Sequence, residues 1–337
     1  MSTVSVREIV AGRPLSVEES RLLMHDIVLG VVQPAQVAAV LTALAIRGFD
    51  VDILDGFTVA ARELALPLEL AASDLIDVCG TGGDGKSTFN ISTAVAFVLA
   101  GAGYRVAKHG NVAVSSACGS SNVLQALGVE LSGNPDHLKR SLDRHGVCFI
   151  HAPLFHPAFK HVASIRQQLG FRTIFNALGP LINPAVVAYR YSGVYSLELQ
   201  RIYSYLLTRR GERFAVVHAL DGYDEISLTG SARVLAECGV WELAAGDFGV
   251  ATVQPNQIAA PSTLAESAKL IESVLSAEST GTEREYAQQR DVVIANAATA
   301  LWCFEGANRD LSHYVAVARE SLESGKARRV LEGCRSV

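Results

Sequence analysis

No two of the six cysteines stand at CxxC or any other metal-binding spacing, and six thiols in 337 residues are too few for a disulfide scaffold. Cys79, Cys118, Cys148, Cys238, Cys303 and Cys334 therefore read mostly as small buried hydrophobes in a reducing compartment. Long hydrophobic runs are missing too. The longest near-apolar stretch, Ala94 to Gly103, is about half of the roughly 20 residues a membrane span requires. Arg7 and Glu8 fall within the first ten residues, so no apolar signal core is present. The expectation is a cytoplasmic protein with no membrane partner. Positive charge is not in excess. Lys and Arg number 29 against 34 Asp and Glu, a net charge of -5, which argues against general binding of nucleic acid. Charged residues are only 19% and hydrophobic residues 49%, which excludes disorder and allows a large core. At about 150 residues per domain, one large or two ordinary domains fit this length.

The first seventy residues show helical patterns only. Ser16 with Glu19 forms a capping-box pattern ahead of Arg21 to Gly30, where Met24, Ile27, Val28 and Val31 share a face. Pro34 suits the first turn of a second helix, whose apolar face is Val37, Val40, Leu41 and Leu44 and whose end is Gly48. A third helix runs from about Val51 to Leu66, before Pro67. Such short helices bury too little alone and need a partner surface, such as a second copy of themselves. From Ser73 the pattern changes to strands Asp74–Cys79, Tyr104–Lys108 and Val147–Ile150, alternating with helices Ile91–Ala102, Ser120–Leu127 and Pro135–His145. That alternation implies a parallel sheet covered on both faces, with ligands at the carboxyl ends of its strands. Residues His156–Leu169 and Thr173–Leu178 read as helical, Gly179–Pro184 as a loop, Leu197–Arg210 as helix and Arg213–Leu220 as strand. The last eighty residues are mostly helical. The expected division is a helical domain over 1–72, joined by the helical segment 156–185, and an α/β domain over 73–155 and 186–337.

Gly80-Thr-Gly-Gly-Asp-Gly-Lys-Ser87 lies between a strand and a helix. Glycines let backbone N–H groups turn inward on anionic oxygens. The spacing matches the nucleotide P-loop G-x-x-x-x-G-K-[ST]. Against that match, good helical pattern begins only near Ile91, and Asp84 inside the cradle would repel a triphosphate. A second loop, Lys108-His-Gly-Asn111 with Ser115, Ser116, Ser120, Ser121 and Asn122, combines a point charge with neutral hydrogen-bonding groups. Taken alone, Lys108 would be a solvated lysine and His109 a histidine satisfied by backbone; two anion-friendly loops together suggest one ligand phosphorylated at both ends. Asp221-Gly-Tyr-Asp224-Glu225 follows a strand, and adjacent carboxylates there suit a hard cation, though solvated loop acids are the commoner case. Arg166 on its helix could be a surface residue or a fork for a planar carboxylate.

Taken together, C-G-T-G-G-D-G-K-S-T-F-N-I-S-T (79–93), K-H-G-N (108–111), S-S (115–116), L-G-V (127–129), F-H-P (155–157), R-Q-Q-L-G-F-R-T-I-F-N-A-L-G-P-L-I-N-P (166–184) and D-G-Y-D-E (221–225) resemble the anthranilate phosphoribosyltransferase family of the tryptophan pathway. The pieces run in order over most of the chain. The resemblance implies a small helical domain and a larger α/β domain with a mainly parallel sheet, of the nucleoside phosphorylase class II kind. It implies a homodimer through the helical domains and transfer of phosphoribose from 5-phosphoribosyl 1-diphosphate (PRPP) to the amino group of anthranilate. It places PRPP on Gly80, Gly83, Asp84, Thr88, Asn90, Ile91, Ser92, Thr93, Lys108, His109, Gly110, Asn111, Ser115, Ser116 and Ser120. It places Mg2+ on Ser92, Asp224 and Glu225, and anthranilate on Gly80, Asn111, His156, Arg166 and Pro180, with Arg166 at the carboxylate. His109, Asn111 and Arg166 are the residues nearest the chemistry.

Similar enzymes commonly carry K-H-G-N-R and S-S-K-S-G-S-A-D in the second loop. Here Val112, Ala117, Cys118, Ser121 and Asn122 stand instead, which removes two positive charges and one negative. Competing readings are a P-loop ATPase or kinase that depends on Lys86, a pyrimidine nucleoside phosphorylase, and a non-catalytic nucleic-acid-binding relative of the fold.

Overall fold

The structure, a computed structural model, describes residues 5–70, 72–112, 118–276 and 286–336. The chain opens with α1 (Val6–Val10), α2 (Val17–Val28), α3 (Pro34–Arg47) and α4 (Val51–Glu63). The capping box at α2 is formed: Glu19 N donates to Ser16 Oγ, and Ser16 N donates to the Glu19 carboxylate at 2.9 Å. Ser5 and Glu8 repeat the device on α1, a helix that the pattern had not marked. α2 and α4 cross at Gly56, where a Cβ would fall 2.3 Å from Val17 O, so only glycine permits this approach.

The chain continues through β1 (Ile76–Val78), α5 (Ile91–Gly101), β2 (Val106–Gly110), α6 (Ser120–Ala126), α7 (Pro135–His145), β3 (Val147–His151), α8 (Ala152–Phe155) and α9 (Lys160–Leu169). Then come β4 (Tyr189–Gly193), α10 (Leu197–Arg209), β5 (Arg213–Ala219), β6 (Ala232–Ala236), β7 (Gly239–Leu243), α11 (Leu264–Leu275), α12 (Ala287–Phe304), α13 (Leu311–Glu323) and α14 (Lys326–Cys334). The sheet order is β3-β2-β1-β4-β5-β6-β7. Pairing is parallel from β3 to β5, with Lys108 opposite Phe149 and Asp77 opposite Arg190. β6 and β7 add as an antiparallel hairpin. The chain moves outward from β1 to β3 and then returns to β4 on the other side of β1. Loops after β1 and β4 therefore part at a crevice, the position at which open α/β sheets bind ligands.

Strand alternation assigns the two faces. On β5, Ala215, Val217 and Ala219 enter a core with α5 and the C-terminal helices, while Phe214 and Val216 enter a second core with α2, α3, α4 and α10. The first-helix bundle thus shares its core with one face of the sheet. α9 also packs on α2 and α3. An ionic seam reinforces this joint. Glu212 accepts from Arg62 of α4 at 2.8 Å and from the buried Arg190 of β4 at 2.5 Å, while Asp55 of α4 takes Arg209 at the end of α10 and Arg210, its C-cap.

Several local expectations shift. β4, β6 and β7 were not anticipated. Residues Ile174–Ala177 form a 3-10 turn rather than part of an α-helix, and another 3-10 turn covers Gly179–Leu181. α9 starts at Lys160 because His156 (φ -121°, ψ 60°) and the 3-10 turn Pro157–Phe159 precede it.

Candidate active site

Three loop segments meet at the crevice. The ladder of β1 runs past its last residue: Cys79 N donates to Tyr191 O at 3.1 Å and Thr81 N to Gly193 O at 2.8 Å. Gly82 N then donates to Asp224 Oδ2 at 2.7 Å. Gly82, Gly83 and Gly85 have φ of +62°, +73° and +78°, which side-chain-bearing residues rarely adopt. Contact with the acidic loop is close enough to demand glycine on both sides. A Cβ on Gly80 would stand 2.8 Å from Asp224 Oδ2, and one on Gly193 would stand 1.6 Å from Asp224 O. Asp84 joins the pair by accepting from Asp224 N at 3.3 Å and from Lys86 N at 3.0 Å.

Asp224 and Glu225 both face Gly80, and Asp84 approaches them through the Asp224 backbone. Burial first, and then the Asp84 charge, push the Asp224 carboxyl up to about 7. Burial and the Asp224 charge push Glu225 well above the ordinary range, against the pull of Lys108 and Ser92. Glu225 Oε2 is buried without a partner. Lys108, itself buried, donates to Ser92 Oγ at 3.1 Å and Val78 O at 2.5 Å. Hard oxygens in excess of positive charge, one of them orphaned, fit a hard divalent cation. Among the described residues no three His, Cys, Asp or Glu side chains already converge as a ready metal cluster. The remaining ligands would be water and phosphate oxygens, as Mg2+ commonly retains.

The second loop is braced from beneath by two residues absent from the sequence-based site. Buried Asp77 accepts from His109 N at 3.1 Å and from Asn183 Nδ2 at 2.9 Å, and Asn183 Nδ2 also donates to Ala107 O at 2.8 Å. Their one sequence signal was an acid inside the apolar strand Ile76-Asp-Val. Beyond the strand, Asn111 O accepts from Ser121 N at 3.1 Å and Ser120 Oγ at 3.3 Å, and Asn90 Nδ2 donates to Cys118 O at 3.2 Å. A Cβ on Gly110 would stand 2.5 Å from Ser120 Oγ, so the serine hydroxyl would have to turn away. Thr88, Asn90, Ile91, Ser92 and Thr93 lead into and begin α5 beside this loop. Ser115, Ser116 and the departure at Ala117 lie outside the described residues.

An aromatic path leads away from Lys108. The His109 and His156 rings meet edge-on at 5.5 Å, His156 and Phe159 at 5.3 Å, and Phe159 and Phe175 at 5.7 Å. The Arg166 guanidinium stands 5.2 Å over Phe175. Burial brings His109 down to about 4 and His156 down to about 3, so both are neutral at pH 7. His109 Nδ1 is 3.0 Å from Gly179 O, whose neighbour Pro180 lies in the same 3-10 turn, and His156 Nε2 is 2.9 Å from Ile182 O. Carbonyls only accept, so those two nitrogens carry the protons. Burial lowers the Arg166 pKa and no carboxylate contributes, which leaves its charge available to a ligand. Arg172 was not anticipated either. It stacks on Tyr195 at 4.6 Å and borders Gly83.

The P-loop reading does not survive this geometry. Ser87 has φ +51°, α5 begins only at Ile91, and the Lys86 amine lies 4.8 Å over the Tyr223 ring rather than in a cradle of helix amides.

A helical bundle sharing a core with a mostly parallel sheet, and a glycine loop folded over paired acids at its switch point, define a two-domain glycosyl transferase. The glycosyl transferase family helical bundle domain matches residues 5–65, and the family's a/b domain matches 72–328. Anthranilate phosphoribosyltransferase of Cytophaga hutchinsonii is 44% identical over 96% of both chains. The crystal structure of anthranilate phosphoribosyltransferase from Thermus thermophilus superposes with a TM-score of 0.89 at 36% identity, covering 98% of each chain. The Saccharomyces cerevisiae enzyme, solved in complex with PRPP and Mg, gives 0.88 at 28% identity over 97% of this chain and 95% of its own. The chain belongs to the anthranilate phosphoribosyltransferase family.

Proposed function

We propose that this chain transfers the phosphoribosyl group of PRPP to the amino group of anthranilate, releasing diphosphate. The observation that carries the reading is the folding of Gly80–Asp84 onto Asp224 and Glu225, with Lys108 and Ser92 at the same corner. The C–N bond forms at the anomeric carbon as the C–O bond to diphosphate breaks, the leaving group keeps the electron pair, and the amine proton passes to solvent. An aromatic amine is already nucleophilic at neutral pH, so the site needs to position it and to answer charge more than it needs a strong base.

Loop amides from Gly80 to Asp84 and the Lys108 charge would hold the donor's phosphates. Gly83, Thr88, Asn90, Ile91, Ser92, Thr93, Gly110 and Ser120, with Ser115 and Ser116, would complete the donor site. Ser92, Asp224 and Glu225 would hold Mg2+, which when bound neutralises charge on the diphosphate. Arg166 would grip the acceptor carboxylate bidentately. Gly80, Asn111, His156 and Pro180 would shape the acceptor's path. His109, its Nδ1 proton held by Gly179 O and its buried Nε2 left without a protein partner, would orient the amine. The protein would work in the cytoplasm as a homodimer through its helical domain, which we take as 1–72 with 156–185.

The test follows anthranilate fluorescence. Its loss should require both PRPP and Mg2+. Turnover of ATP without PRPP, or phosphorolysis of a nucleoside with anthranilate untouched, would overturn the reading.

A further inference from the structure

On the far side of the sheet from the crevice, the two-residue turn Glu237-Cys238 between β6 and β7 lies against the last turn of α12. Cys238 is exposed and Cys303 is fully buried. Cys238 Sγ donates to Cys303 O at 3.9 Å, which seats the exposed thiol against the residue carrying the buried one. The other neighbouring pair, Cys148 and Cys334, has both members buried and is closed to solutes. Only the first pair therefore joins a thiol that a solute can reach to a thiol already in place to answer it.

We propose that Cys238 and Cys303 form an oxidation site, closing to a disulfide when a peroxide-class oxidant reaches Cys238. Interaction with Cys303 brings the Cys238 thiol down to about 7, with Arg213 assisting, which favours the nucleophilic thiolate. Cys303 is pushed up by the same interaction and by burial, so it remains the proton donor of the pair. The Cys238 thiolate attacks one peroxide oxygen, the O–O bond breaks, and the departing hydroxide takes the proton that Cys238 released, giving a sulfenic acid and water. Cys303 sulfur then attacks the sulfenic sulfur. The S–S bond forms as the S–O bond breaks, and hydroxide leaves with the Cys303 proton as a second water. Two thiols are oxidised and one peroxide is reduced.

The bond would join the hairpin to α12, across 65 residues of chain. α12 also carries Asn296, whose side chain holds Ile226 at 3.1 Å (N to Oδ1) and 2.8 Å (Nδ2 to O), directly beside Glu225. The two tryptophans of the chain, Trp241 and Trp302, meet at 4.5 Å with their rings tilted by 49°, three residues after Cys238 and one before Cys303, and serve as a built-in reporter.

The full-length chain is treated with near-stoichiometric hydrogen peroxide, quenched, and read by intact mass, peptide mapping and tryptophan emission. The expected result is loss of two hydrogens mapped to Cys238–Cys303, a fall in emission, and reversal of both by dithiothreitol. Cys238→Ser, at an exposed position, should fold, keep basal transferase activity and abolish the whole response. Cys303→Ala should leave a Cys238 sulfenic acid that dimedone traps. An unchanged mass, a disulfide mapped to other cysteines, or a Cys238 sulfinic acid formed while Cys303 stays free to alkylate would overturn the proposal.

Discussion

Gly82 N donates to Asp224 Oδ2 at 2.7 Å across a separation of 142 residues. That bond joins the loop after β1 to the loop after β5, on the two sides of the sheet's switch point. On the proposed reading, one loop would supply amides to the diphosphate and the other carboxylates to its metal.

Gly80→Ala tests the closeness of that contact. Its Cβ would stand 2.8 Å from Asp224 Oδ2, so the carboxylate must move. Displacement of a site group by about 1 Å costs on the order of 100-fold in rate. We expect kcat/KM to fall by roughly that factor, with far-UV dichroism and Tm nearly unchanged. Full activity in the variant would show that the two loops need not touch.

Arg166→Ala removes a half-buried guanidinium that meets no carboxylate among the described residues. A charge-assisted hydrogen bond contributes about 1.5–3 kcal/mol, so the anthranilate KM should rise roughly ten- to hundredfold. The PRPP KM should change little. Equal losses for both substrates in steady-state kinetics would contradict the assignment of Arg166 to the acceptor.

His109 gives a stability prediction with a definite sign. Its folded pKa of about 4 lies below the ordinary value of 6.5, so between those values the unfolded chain holds a proton that the folded chain lacks. Stability from this group is full above pH 6.5 and is lost as pH falls towards 4, by about 3 kcal/mol in all. Urea denaturation of wild type and His109→Asn should give curves whose difference changes over that interval and is flat above it. A difference independent of pH would mean that His109 is not buried as a neutral ring.

Glu212→Gln probes the joint between the bundle and the sheet. Burial works to raise the Glu212 pKa, but Arg190 and Arg62 overcome it and hold the carboxyl at about 2. Removing the charge strands the buried Arg190, and breaking such a pair costs about 3 kcal/mol. Chemical denaturation should report that loss. Destabilisation within about 0.5 kcal/mol, the range of an ordinary surface change, would show the seam to be incidental.

Local signals were strong where a residue acts on its own neighbours. Ser16 with Glu19 marked the cap of α2, although the helix starts at Val17 rather than Arg21 and ends at Val28, and Pro34 with Gly48 bounded α3 almost to the residue, because capping is decided within one turn. The glycine loop, Lys108 and the Asp224-Glu225 pair were legible as chemistry, and the resemblance to a family ordered them into one site. β4 escaped because Tyr-Arg-Tyr-Ser-Gly places a charge in a fully buried strand, and the charge is satisfied by Glu212 from beyond α10. Asp77 and Asn183 escaped for the same reason, since they pair across 106 residues. The neutrality of His109 and His156 comes from burial, which no spacing reports.

The central claim concerns where the sugar donor lodges. Crystals soaked with PRPP and Mn2+, in place of Mg2+, would locate the metal by its anomalous signal. The account predicts manganese at the Asp224 and Glu225 carboxylates, with diphosphate oxygens beneath the Gly80–Asp84 amides. A diphosphate bound away from that loop, or a metal signal with neither carboxylate in its coordination sphere, would contradict it.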